Sequence, residues 1–110
     1  MDLALVITTL GRLDPLRALL ESLEGQLEAG DRVVLVAQGR GDEVVALAAE
    51  FADRGVPVVA TDSARGASRG RNAGVAALPA GDAVLLFPND NTVFPAGVLG
   101  RVREAVADPA

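Results

Sequence analysis

A group of polar side chains follows an apolar run in the last third of the sequence. Residues 83–87 are apolar, and Asn89, Asp90 and Asn91 come shortly after them. A short apolar run of this kind is typical of a strand that is buried on both faces. In an open parallel sheet, ligands usually bind at the carboxyl ends of such strands. Asn and Asp are also common in turns, so this segment alone leaves a ligand site and an ordinary turn as alternatives.

Three arginines lie close together in the segment RGASRGRNAG, residues 65–74. They are Arg65, Arg69 and Arg71, and they stand where a helix is expected to begin. The backbone N–H groups at a helix N-terminus favour phosphate, and the planar guanidinium group matches phosphate oxygens. The segment therefore indicates an anion site, with a solvated glycine-rich turn as the alternative.

The composition limits the chemistry that the chain could carry. It contains no Cys and no His, which excludes a thiolate nucleophile, a thiolate metal site and a Ser-His dyad. Catalysis would depend on carboxylates, arginines, hydroxyls or a metal ion bound through oxygen. The formal charge of −5 argues against general nucleic-acid binding, which requires a basic face.

The length and the N-terminus indicate the class of protein. At 110 residues the chain fits a single domain spanning residues 1–110. Its apolar segments are short and interrupted by charge, and Asp2 stands where a secretory signal would carry basic residues. We therefore expect a cytoplasmic polypeptide with no membrane span in this chain.

Strands and helices alternate in the predicted secondary structure. Apolar, β-branched runs predict strands at residues 3–9, 32–37, 56–61 and 83–87. Amphipathic segments predict a helix after each strand, with Asp14 and Asp42 as N-caps of the first two, Pro95 opening the last, and Val75 and Leu78 directed inward from the third. This alternation predicts a three-layer α/β/α fold, Rossmann-like, with a mostly parallel sheet of about four strands.

Four segments at the predicted strand ends resemble motifs of one protein family. They are LVITTLGR, VVLVAQGRGD, RGASRGRNAG and AVLLFPNDNTVFP, in that order along the chain. The third is close to a Gly-x-Ser-x-Ala-Arg-Asn-x-Gly segment, and the fourth is similar to a strand that ends in an Asp-x-Asp motif. In these features the chain resembles the N-terminal, donor-binding half of family 2 glycosyltransferases of the GT-A fold.

The resemblance implies a function and a set of binding residues. Members of that family transfer a sugar, with inversion, from a nucleotide diphosphate sugar to an acceptor, which the sequence does not name. By resemblance, Thr9 and Arg12 line the nucleotide pocket and Arg71 contacts the nucleotide, while Gln38 is beside the position that meets the base. The implied donor-binding set is Thr9, Arg12, Gln38, Gly66, Ser68, Arg71, Asn72, Asn89 and Asp90.

The sequence departs from the family pattern where a metal would bind. Asn89 and Asn91 occupy the Asp-x-Asp positions, and only the middle residue, Asp90, is an acid. An amide oxygen can coordinate Mg²⁺ or Mn²⁺, but it brings no negative charge to a hard cation. Asp90 and Asn91 are therefore expected to form a weak metal site at most.

The resemblance also implies that part of the catalytic machinery lies outside this chain. The family's general base and acceptor-binding elements lie in a second half beyond these motifs, so we assign no catalytic residue and expect a chain that is incomplete by itself. Two other hypotheses stay open: a nucleotide-binding module without turnover, and a partner-docking α/β domain. In the last case an uncovered face of the sheet could pair two copies into a homo-oligomer.

Overall fold

A parallel sheet of four strands organises the computed structural model, which describes residues 2–107. The strands are β1 (Leu3–Thr9), β2 (Arg32–Ala37), β3 (Val58–Asp62) and β4 (Val84–Leu86), in the spatial order β3-β2-β1-β4. The helices are α1 (Leu13–Leu23), α2 (Gly41–Asp53), α3 (Ala67–Ala76) and α4 (Val98–Ala107). The α/β class and the parallel sheet that the sequence predicted are confirmed.

The strand order explains why helices cover both faces. The chain steps outward from β1 to β2 to β3 and then returns to place β4 on the other side of β1. Because crossovers between parallel strands are right-handed, this reversal sends α3 to the face opposite α1 and α2. The reversal also makes the gap between the ends of β1 and β4 the point where ligands usually bind in such sheets.

The larger core lies on the face covered by α1, α2 and α4. Alternate side chains of β1 and β2 meet the leucine-rich face of α1 and the apolar face of α2, and Leu99 of α4 joins them. Their burial on this face explains why β1 and β2 have the bounds that the sequence predicted. The buried members from the strands and from α1 and α2 are Leu3, Leu5, Ile7, Val33, Leu35, Ala37, Val58, Leu16, Leu19, Leu20, Leu23, Val44, Leu47, Ala48 and Phe51.

The opposite face is covered by α3, which approaches the sheet through glycines. Gly70 and Gly74 are its buried residues, and a Cβ at Gly74 would lie 2.2 Å from Cγ1 of Val6. The prediction that Val75 points inward was wrong, since 40% of it is exposed. Leu78, just beyond the helix, is partly buried against this second core as predicted.

One helix does not cover the whole of that face. Val59 pairs with Val34 in the sheet, and Leu85 pairs with Ala4, so both point to the side of α3. They are 53% and 41% exposed. The expected homo-oligomer through an uncovered face stays a prediction.

Several element boundaries differ from the sequence prediction. Neither Asp14 nor Asp42 is an N-cap: α1 begins after Arg12 and α2 after Arg40, so both acids lie within the first helical turn. There their charges still favour the helix dipole. The third strand begins after Pro57, because proline has no N–H to donate to the sheet. Within residues 2–107 no helix has the length and apolar character needed to cross a membrane.

Candidate functional site

A shallow concavity of about 240 Å³ lies at the carboxyl ends of β1, β2 and β4. Four of the predicted donor-binding residues contribute to its wall, although they come from distant parts of the sequence. The residues that line it are Thr8, Thr9, Leu10, Arg12, Gln38 and Asp90.

Asp90 is buried in this wall and both of its oxygens are engaged. It is 6% exposed. The Thr9 hydroxyl donates to Oδ2 at 2.9 Å, Nε of Arg12 donates to the same oxygen at 3.4 Å, and Nη2 of Arg12 forms an ion pair with Oδ1. A buried carboxylate without such partners would be costly. The three contacts therefore join the end of β1 to the segment after β4.

A tight turn after β1 directs Arg12 toward Asp90. The Gly11 N–H donates to the Thr9 hydroxyl at 3.0 Å, so this hydroxyl accepts from the turn and donates to Asp90. Gly11 has a positive φ of 98°, and a Cβ there would lie 2.7 Å from Cβ of Arg40. Only glycine satisfies both conditions without a shift of neighbouring atoms.

The guanidinium group of Arg12 is open to the concavity. The side chain is 57% exposed, whereas the Asp90 side chain is 8% exposed. Arg12 uses Nε and Nη2 toward Asp90. A guanidinium group carries five N–H donors, so donors that Asp90 does not use are available to an anion.

Gln38 connects the end of β2 with the loop before α3. Its Nε2 lies within hydrogen-bonding distance of Ser63 Oγ at 3.0 Å and of the carbonyl oxygens of Ala64 and Gly66 at 3.1 and 3.0 Å. The donor end of the amide is thus occupied by the protein. Its Oε1, an acceptor, is the end that can meet a ligand.

The N-terminus of α3 reaches the same edge because the helix packs closely on the sheet. A Cβ at Gly70 would lie 2.3 Å from Cγ2 of Thr8. Among the residues that the structure describes, no side chain caps this helix. The backbone N–H groups of its first turn are therefore available to an anion.

The remaining predicted site residues lie around the concavity and not in its wall. Gly66, Ser68 and Asn72 are exposed at and after the start of α3, and Asn89 and Asn91 are exposed on either side of Asp90. Gly66 has φ of 132°, which a side chain would disfavour.

Arg71 contacts Phe87, an aromatic residue for which the sequence predicted no side-chain contact. Its guanidinium carbon lies 5.3 Å from the centroid of the Phe87 ring, within the range of a cation–π contact. Phe87 follows β4 directly and is 41% exposed. One of only three Phe residues, placed at a strand end beside polar residues, is the signal that could have identified it.

Arg40 is a second residue whose contacts the sequence did not predict. It adopts a left-handed conformation with φ of 52°, which is unfavourable for a residue with a Cβ. Its Nη1 donates to the Gly11 carbonyl at 3.1 Å, and its Nε donates to Glu43 at 3.1 Å. Arg40 thereby holds the loops after β1 and β2 together.

Two larger concavities, of about 380 and 330 Å³, lie near the amino ends of the strands. The first is lined by residues such as Leu3, Asp82 and Leu85. The second contains Arg54, whose charge is already paired with Glu24. Neither combines an available arginine with the carboxyl ends of parallel strands, so the smaller concavity is the better candidate.

A family model described as Glycosyl transferase family 2 matches residues 4–110. The chain belongs to glycosyl transferase family 2. The membership confirms the family that the four motifs indicated, and it supports a glycosyltransferase-type function, which implies a nucleotide-sugar donor and an acceptor. Neither the curated proteins nor the solved structures gave a significant match.

Proposed function

We propose that this family 2 chain is the donor-binding part of a glycosyltransferase, and that the concavity at the carboxyl edge binds the diphosphate of a nucleotide sugar. The observation that carries this proposal is Arg12, which the buried Asp90 holds at the end of β1 with guanidinium donors left over. An oriented, exposed guanidinium lies at the gap between the ends of β1 and β4, where the strand order reverses, and it suits a phosphate ligand.

The charges around the concavity support an anionic ligand. The whole chain has a formal charge of −5, yet Arg65, Arg69 and Arg71 are exposed at the N-terminal end of α3. The uncapped N–H groups of that helix add partial positive charge. An anion would therefore be attracted to this edge despite the acidic character of the chain.

Gln38 offers a hydrogen-bond acceptor to the base of the nucleotide. Its donor end is bound to the loop before α3, so its Oε1 would accept a hydrogen bond from an N–H group of the base. Hydrogen-bond readout of this kind discriminates between bases, because a base without a matching donor would leave the amide oxygen unpaired.

The same groups would assist sugar transfer. Negative charge builds on the diphosphate as its bond to the sugar breaks, and positive groups already in place stabilise that charge. Within the described part of the chain, the wall of the concavity contains one acid, Asp90, and it is paired with Arg12 and Thr9. We therefore assign donor binding to this site, and propose that other residues of the enzyme activate the acceptor.

Calorimetric titration with UDP, GDP and ADP tests the proposal. We expect saturable binding of at least one nucleotide, and a loss of about tenfold or more in affinity for Arg12→Ala and for Arg71→Ala. Arg32→Ala is the matched control, because Arg32 is an exposed arginine at the amino end of β2. The absence of binding for all three nucleotides, or an equal loss with the control variant, would overturn the proposal.

A further inference from the structure

The residues at the Asp-x-Asp positions do not fit a divalent cation. Residues 2–107 contain no group of three or more His, Cys, Asp or Glu side chains that could hold a metal ion. The one acid there, Asp90, has both oxygens engaged by Thr9 and Arg12. Its neighbours Asn89 and Asn91 are neutral and exposed. At phosphate sites a cation such as Mg²⁺ is held by one or two carboxylates together with the phosphates, and the carboxylate at these positions is already engaged.

We propose that the site binds the diphosphate without a divalent cation, and that Arg12 supplies the positive charge there. This inference rests on the proposed function. A metal ion bound to the Asp90 carboxylate would have to displace the Arg12 guanidinium, which already neutralises that carboxylate. The guanidinium lies at the ends of β1 and β4, offers donors that Asp90 does not use, and needs no negatively charged ligands beyond Asp90.

Asp90 is a positioning residue in this arrangement, because it acts through Arg12. A free arginine side chain at an exposed edge samples many rotamers, and a ligand that binds it must restrict them. Asp90 contacts Arg12 through both carboxylate oxygens, and Thr9 fixes the carboxylate in turn. The restriction has therefore occurred before a ligand arrives, which favours binding.

The second arginine near this edge is also held in advance, by a different contact. Arg71 stacks on Phe87, so the ring orients the guanidinium without consuming its N–H donors. Arg12 follows β1 and Phe87 follows β4, and these strands are neighbours in the sheet. Two oriented arginines thus lie at the edge where a metal would otherwise neutralise the diphosphate.

Titrations of the unmodified chain with UDP, GDP and ADP, in excess EDTA and in excess Mn²⁺, test this inference. We expect the dissociation constant of the nucleotide that binds to agree within about twofold between the two conditions. We also expect no saturable binding of Mn²⁺ alone. Since these measurements need no substitution, they do not depend on how a variant folds.

Two variants test the role of each partner. Arg12→Ala should weaken nucleotide binding about tenfold in EDTA and in Mn²⁺ alike, and Arg12→Lys should restore only part of the loss, because an ammonium group lacks the planar fork. Asp90→Ala should weaken binding about fivefold in both conditions. In the Arg12→Ala background, Asp90→Ala should not weaken nucleotide binding further, because Asp90 acts on the ligand through Arg12.

The outcomes separate this inference from the proposed function. Nucleotide binding that requires Mn²⁺, or Mn²⁺ binding that Asp90→Ala abolishes, would overturn the arginine-based site and leave donor binding intact. An Asp90→Ala effect that persists without Arg12 would overturn the positioning role. If no nucleotide binds in either condition, the proposed function and this inference both fail.

Discussion

Two buried aspartates, one near each end of the sheet, form ion pairs with arginines in contrasting surroundings. At the amino end, Asp31 accepts from the Leu3 N–H at 2.9 Å and from the Glu28 N–H at 2.7 Å, and it pairs with Arg103 of α4. At the carboxyl end, Asp90 accepts from the Thr9 hydroxyl and pairs with Arg12. Each aspartate therefore connects segments that are distant in the sequence.

The difference lies in the arginines. The Arg103 side chain is 15% exposed and that of Arg12 is 57% exposed. The Nε of Arg103 is buried and finds no hydrogen-bond partner within residues 2–107, so its charge is enclosed by the protein. Arg12 instead presents its charge to solvent. The same pair of residue types thus encloses its arginine at one end of the sheet and leaves its arginine exposed at the other.

Asp31→Ala should have the largest effect on stability. The change removes the acceptor of the Leu3 N–H and the buried partner of Arg103, which within the described residues keeps only the Gln26 carbonyl and the exposed Glu28 carboxylate. Breaking a buried pair in this way costs about 3–5 kcal/mol. Urea unfolding measures the loss. Asp90→Ala is the matched comparison and should cost only about 1 kcal/mol, because Arg12 can be solvated. Equal losses for the two variants would refute the contrast.

Gly70→Ala should destabilise the packing of α3 against the carboxyl end of the sheet. The added Cβ would lie 2.3 Å from Cγ2 of Thr8, and such overpacking costs about 1–3 kcal/mol. Nucleotide binding should weaken as well, since α3 must move away from Gln38. Gly100→Ala is the control: nothing lies within 4 Å of a Cβ at Gly100, and alanine is about 1 kcal/mol better than glycine in a helix. A stable Gly70→Ala protein would contradict the close packing of α3.

Phe87→Leu should reduce nucleotide affinity about threefold, with a smaller effect on stability, because the ring that orients Arg71 is lost. Phe87→Tyr should retain the affinity, since the aromatic face is preserved. The pair can be compared by the same calorimetric titration. In the Arg71→Ala background the two Phe87 variants should bind alike, and a difference between them there would mean that Phe87 acts on the ligand by another route.

The smallest effect should come from a third ion pair, between α1 and α2, whose partners are both exposed. Arg17, which donates to Glu50, holds the pKa of that carboxyl below its ordinary value of 4.5. A carboxyl whose pKa is lower in the folded state stabilises the fold when the pH is above the pKa of the unfolded state. This contribution is lost as the pH falls through the pKa of the folded state. The advantage of the natural chain over Glu50→Gln in thermal unfolding should therefore vanish on acidification below pH 4.5.

Glu104→Gln is the control for that comparison, because Glu104 is an exposed glutamate on α4. It should show little pH-dependent difference from the natural chain. A larger pH-dependent effect for this control than for Glu50→Gln would mean that the Arg17 contact contributes nothing to the folded state.

The central strands could be predicted because their sequence pattern has one interpretation. β1 and β2 are apolar runs with β-branched residues, and their bounds match the prediction. The inward face of α3 could not be predicted in the same way. Gly70 and Gly74 have no hydrophobic side chain that a sequence pattern could reveal. Only the short distance between α3 and the sheet shows why these glycines, and not Val75, face the sheet.

The position of the candidate residues at one edge of the sheet was predicted more fully than the contacts between them. Thr9, Gln38 and Asp90 do meet at one edge, as the alternation of strands and helices required. The contact between Arg71 and Phe87 was not predicted, because it depends on the rotation of α3 on the sheet. A helix rotated by one residue would present a different side chain there.

The sequence by itself determined the family, the parallel α/β fold and the edge of the sheet where polar groups collect, because strand patterns and motif order depend on local chemistry and on chain direction. Only the tertiary structure decided what Asp90 does. Arg12 lies 78 residues away in the chain, and the two meet because β4 returns to the side of β1. The residue that resemblance assigned to a metal ion is therefore the partner of an arginine.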